Sequence, residues 1–86
     1  MTVAELIAEL SKMDPDRVVI CQKDSEGNGY SPLAGVDDNA AYSADSTWSG
    51  DARLQTLSDE DIAHGYGPGD IAPATAVPCV VLFPVN

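Results

Sequence analysis

The chain has 86 residues, 44% of them apolar, and a formal net charge of −10. That length makes one domain with a modest core, and the apolar content is too high for a wholly disordered chain. The charge excludes direct binding to nucleic-acid phosphates or anionic lipid, which so acidic a surface repels, and no apolar run reaches the roughly 18 residues of a membrane span.

Taken in chain order, Thr2 and Glu5 have the spacing of a capping box, and Val3, Leu6, Ile7, Leu10 and Met13 recur at helical spacing. This predicts a helix over 2–13 whose apolar face, Leu10 included, packs on the core. Asp14-Pro15 stops it, because the residue before proline is pushed out of the α region. Residues 17–23 are β-branched and read as a strand buried near its middle. Asp24 to Gly29 reads as a turn, with a second strand over 30–36 placed at an edge or bulged because of Pro32. Asp37-Asp38-Asn39 looks like a turn. The stretch 40–48 fits a long loop or an irregular hairpin, and 52–57 a strand. Ser58 followed by Asp59, Glu60 and Asp61 marks a short helix that Gly65 ends. The Gly/Pro-rich stretch 66–75 is loop, and 76–83 is a final apolar strand. The fold expected is α+β: an antiparallel sheet of about four strands covered by the N-terminal helix, plus one short helix. The two most apolar strands, 17–23 and 77–83, pair at its centre.

Little in the chain points to catalysis. His64 is the only histidine, and it reads as a helix C-terminal residue among acids rather than a general base. Cys21 and Cys79 sit in apolar runs and read as reduced, buried thiols; a disulfide between them requires neighbouring strands at the right separation. Zinc would need clustered ligands, which one histidine and two distant cysteines do not supply. Asp24, Glu26 and Asn28 have the spacing of the start of a calcium loop, but Gly35 stands where its bidentate glutamate belongs. Gly65-Tyr66-Gly67-Pro68-Gly69 follows no strand and lies among acids, so it is no phosphate loop. No metal or cofactor is expected, and no enzyme activity.

The acids are the strongest signal. Ten of the fourteen carboxylates lie between Asp24 and Asp70, where Arg53 is the only base. They are Asp24, Glu26, Asp37, Asp38, Asp45, Asp51, Asp59, Glu60, Asp61 and Asp70. Carboxylates strung along a rigid edge approximate a phosphate array and attract the Lys and Arg of a nucleic-acid-binding protein. The same acids also serve solubility alone. Tyr30, Tyr42, Trp48 and Tyr66 lie among the acids, which suits a protein interface through Tyr42 and Trp48 as well as it suits packing.

The opening Thr2-Val3-Ala4-Glu5-Leu6-Ile7-Ala8-Glu9-Leu10-Ser11-Lys12-Met13-Asp14-Pro15-Asp16, running into Val18-Val19-Ile20, resembles small proteins encoded by phages and prophages. Gly29-Tyr30-Ser31-Pro32-Leu33 and Ala76-Val77-Pro78 extend the likeness. It covers about half the chain and carries no active-site residues. It implies a non-enzymatic inhibitor of bacterial defence of the anti-CRISPR kind. Such a protein would be monomeric in the cytoplasm of the bacterial host and would block the DNA site of a basic partner such as a CRISPR effector subunit. The alternative is an accessory module that docks through Tyr30, Tyr42 and Trp48 or sequesters a small ligand, the acids only solubilising it. The absence of a basic, then apolar, leader fits the cytoplasmic expectation.

Overall fold

A computed structural model describes residues 1–22 and 29–85. At the N-terminus the capping box forms as its spacing predicts. The Glu5 amide donates to Thr2 Oγ1 at 3.2 Å, and the Thr2 amide donates to Glu5 Oε1 at 3.1 Å. The helix that follows, α1, runs Val3–Leu10 and is shorter than expected. Its end tightens, with Lys12 N donating to Glu9 O and Met13 N to Leu10 O. These three-residue steps belong to a fraying turn rather than to α-helix.

Four strands follow: β1 Val18–Cys21, β2 Leu33–Ala44, β3 Gly50–Leu54 and β4 Val77–Pro84. A second short helix, α2, spans Asp59–Ala63, and a 3₁₀ turn spans Pro68–Asp70. The strands form one sheet in the order β1-β4-β2-β3. The α+β class and the four strands agree with the sequence, but the sheet is mixed rather than antiparallel. β4 pairs antiparallel with β2 and parallel with β1. It is inserted between two strands that are consecutive in sequence.

That insertion corrects three further expectations. β1 does pair with β4, but at the sheet edge, with Val18 and Val19 exposed. β2 is interior, so of the two alternatives for the second strand the edge fails and the bulge holds. The strand takes up its irregularity in two register shifts, between Leu33 and Gly35 and between Asp37 and Ala40. Asp37-Asp38-Asn39 is the second of these bulges and not a chain reversal. The Asn39 amide donates to Asp37 Oδ1 at 2.8 Å, the bond of an Asx turn made inside a strand. The hairpin reading of 40–48 holds: β2 and β3 pair from Ala40↔Leu54 to Ala44↔Gly50.

The buried apolar centre consists of Ala40, Ala41, Cys79 and Val80, all on β2 and β4. The α1 helix contributes no buried residue. Leu6 and Leu10 are half-buried, while Val3 is 76% and Ile7 62% exposed. Its apolar face therefore covers the sheet only in part. Cys79 is buried as expected, but Cys21 is exposed. The two strands are neighbours, yet Cys79 lies opposite Val18 and Cys21 opposite Leu82. Three register positions are about 10 Å along a strand, beyond disulfide reach. The turn read at 24–29, with Asp24, Glu26 and the calcium-like spacing, lies outside the described residues except for Gly29.

Two glycines are required by geometry. Gly65 ends α2 with φ of 95°, in the region that disfavours side chains. Gly50 opens β3 where any β-carbon would meet the Tyr42 phenol ring and come within 2.6 Å of the Ser43 carbonyl oxygen. Gly50→Ala is therefore expected to cost about 1–3 kcal/mol by forcing the hairpin apart. Gly67→Ala, at an extended backbone facing open space, should change stability by less than about 0.5 kcal/mol. Urea denaturation of both variants checks the pair, and equal losses would contradict this account of Gly50.

Candidate functional site

The acids from Asp37 to Asp70 are carried by β2, the β2–β3 turn, β3, α2 and the 3₁₀ turn. These elements are tied together by side chains that the strand ladder leaves over. Asn39 at the β2 bulge clamps the link between β3 and α2. Thr56 donates to its Oδ1 through the backbone N–H at 2.9 Å and through the hydroxyl at 3.0 Å, and Asn39 Nδ2 donates to Thr56 O at 3.1 Å. The stretch after α2 docks on the free side of β3: Ala72 N donates to Leu54 O at 2.8 Å, and Arg53 Nη1 donates to Gly69 O at 3.3 Å. These linked elements and their turns, the acidic half of the chain, carry Asp37, Asp38, Asp45, Asp51, Asp59, Glu60, Asp61 and Asp70.

Their chemical states differ. Asp37, Asp61 and Asp70 each accept one local backbone N–H, from Asn39, Ser58 and Gly67 respectively. Asp51 is paired with Arg53 at 2.9 Å. Among the described residues Asp38, Asp45, Asp59 and Glu60 make no side-chain hydrogen bond or ion pair, and all four are exposed. These four are the carboxylates available to a partner without breaking an internal contact.

The cations do not offset them. Lys12 pairs with Glu9 at 3.3 Å on the first helix. Arg17 is turned inward: its Nε donates to Cys79 O at 3.2 Å, and its Nη2 reaches Cys79 O at 2.7 Å, Ala40 O at 3.2 Å, Gln55 Oε1 at 3.0 Å and Asp38 O. Arg53 is the one described base on the acidic half outside that internal network. His64 caps the end of α2 and is exposed, in keeping with its reading as a helix terminus. Among the described residues no group of three potential ligands is placed to hold a metal ion.

A second feature was not legible beforehand. One face of the sheet is an open groove of about 1030 Å³. Its floor is formed by residues of one strand parity: Ile20, Val81 and Phe83, then Ala40, Tyr42, Ala52 and Leu54. Trp48, in the turn of the β2–β3 hairpin, and Tyr66 stand at its margin, with Asp37, Asp51, Asp70 and Arg53 also lining it. The structure therefore brings together Tyr42 and Trp48, two of the three aromatic residues assigned to docking, while Tyr30 does not line the groove. Trp48 is 77% exposed and Tyr30 fully so, which removes both from the core. The sequence signal for the groove was the alternation Cys79-Val81-Phe83, hidden because β4 is apolar on both faces.

The capping carboxylates carry a pH signature. Hydrogen bonds from the backbone and hydroxyl of Ser58 hold the Asp61 carboxyl below its ordinary pKa, and those of Thr2 do the same for Glu5. A carboxyl so depressed binds protons more weakly in the folded chain than in the unfolded one. Its contribution is complete above the unfolded value and is lost as pH falls through the folded value. In an NMR titration the midpoints of Asp61 and Glu5 should lie below the ordinary values for Asp and Glu, and each helix should fray as its own capping midpoint is passed. Midpoints for Asp61 and Glu5 at the ordinary carboxylate values would contradict the capping assignment.

Neither a family model, nor a curated protein, nor a solved structure matches this chain.

Proposed function

We propose that this chain is a non-enzymatic binding protein whose acidic half imitates the charge of a nucleic-acid strand. It would block the DNA site of a basic host protein, in the manner of phage inhibitors of bacterial defence such as anti-CRISPR proteins. The observation that carries the reading is the set Asp38, Asp45, Asp59 and Glu60, exposed and unpaired among the described residues while Arg17 is turned inward. Fixed carboxylates of this kind speed encounter with a basic channel, and each replaces a phosphate as partner to Lys or Arg. Asp37, Asp51, Asp61 and Asp70 add to the field while serving internal contacts, and Asp24 and Glu26 add charge outside the described residues.

A second reading, docking through aromatic side chains, is favoured by one observation: Tyr42 and Trp48 line the same groove. Salt separates the two. An interface made of exposed charge weakens steeply as ionic strength rises, whereas an aromatic one weakens little.

The test uses a partner captured from bacterial lysate at low salt and assayed for DNA binding. The four-site variant Asp38→Lys, Asp45→Lys, Asp59→Asn, Glu60→Gln spares every internal hydrogen bond described above. Exposed pairs are worth roughly 0.2–1 kcal/mol each, so the variant should displace DNA about tenfold or more less effectively than the parent. Circular dichroism should be unchanged. A variant that competes as well as the parent would reduce the acids to solubilising groups and leave the aromatic reading in place.

A further inference from the structure

We infer that the sheet-face groove is a docking site for a basic amphipathic segment of a partner protein, apolar side chains inward and Lys or Arg outward. This rests on the reading of the chain as a binder of basic proteins, and adds to it a site of different chemistry.

Three observations carry it. The floor offers Ile20, Val81 and Phe83 at one end and Tyr42 at the other, from three different strands, an apolar strip broken by Asp37 and edged by polar side chains. Asp37, Asp51 and Asp70 line it against the single Arg53, so the groove itself keeps a negative balance inside a chain of net charge −10. Gln22, Asn39, Thr47 and Ser49 also line it, so the lining as a whole is mixed and suits an amphipathic segment rather than a wholly apolar one. The charge complementarity selects among macromolecules. Nucleic acid and anionic lipid are repelled, and a second copy would bring its own ten excess charges. A segment with Leu or Phe anchors flanked by Lys satisfies both the strip and the acids, the helix-in-groove mode of recognition. Trp48 at the margin is the residue type most often found to dominate such interfaces.

The test is fluorescence anisotropy with three labelled peptides: a leucine/lysine amphipathic helix, a serine/lysine peptide of equal charge and a leucine/glutamate helix. The leucine/lysine peptide should bind at least about tenfold more tightly than either control. It should shift Trp48 emission to the blue. Trp48→Ala should weaken it by a similar factor, and so should Ala52→Arg. Ala52→Arg places bulk and positive charge beside Tyr42, its strand partner, without removing a contact, so it reports on the groove even if Trp48→Ala disturbs the hairpin. Equal binding of the serine/lysine peptide, equal binding of the leucine/glutamate helix, or an unaffected Ala52→Arg variant would overturn the inference. A Trp48-dependent dimer in sedimentation of the chain alone would overturn it too. The four-site acid variant keeps the groove. If the strand-mimicry reading fails, leucine/lysine binding survives; if only the groove fails, the loss of DNA competition in that variant survives.

Discussion

The guanidinium of Arg17 lies where the sheet is least regular, and the rest of the structure depends on it. At the Asp37–Ala40 bulge the ladder between β2 and β4 is interrupted. Arg17 reaches the carbonyls of Asp38 and Ala40 on one strand and of Cys79 on the other, and ends on Gln55 beyond β3. One side chain, just before β1, thereby fastens the central pair and the hairpin together. Charge-assisted bonds to carbonyls are stronger than neutral ones, and a lysine at this site could not offer the same fork.

Its position has an electrostatic consequence. A chain with four bases and fourteen acids has few cations to place, and here one is enclosed by backbone oxygens. It steadies the strand that bears Asp37 and Asp38, yet it is not offered at the surface as a partner for the remaining acids. With a buried centre of four small or medium side chains, the sheet has little hydrophobic reserve against self-repulsion. Asp38, Asp45, Asp59 and Glu60 remain outward with no side-chain hydrogen bond or ion pair among the described residues, and the proposal of a basic partner rests on them.

What was legible in the sequence was local. Thr2 with Glu5 and Ser58 with Asp61 make their capping boxes because the bonds span three residues, and Gly65 takes its positive φ for the same local reason. Asp37-Asp38-Asn39 misled because an Asx bond looks alike in a turn and in a bulge; the difference is set by β4, some 40 residues later in the chain. The parallel pairing of β1 with β4 is likewise non-local, and periodicity carries no strand direction. Tyr42 and Trp48 were legible as aromatics among acids. The groove that joins them was not, since it depends on which parity of β4 faces outward. Arg17 gave no signal at all, because a single arginine after a helix stop looks like an ordinary solvated base.

The most direct test is the urea denaturation of Arg17→Met beside Arg17→Lys at neutral pH. Methionine keeps the length of the stem but leaves the carbonyls of the buried residues Ala40 and Cys79, and the exposed one of Asp38, without the arginine donor, and an unsatisfied buried acceptor costs about 1–3 kcal/mol. Arg17→Met is expected to lose at least about 2 kcal/mol, or to fail to fold, with Arg17→Lys recovering only part of the loss. A loss below about 0.5 kcal/mol for Arg17→Met would show that the bulge stands without the arginine and would contradict the account.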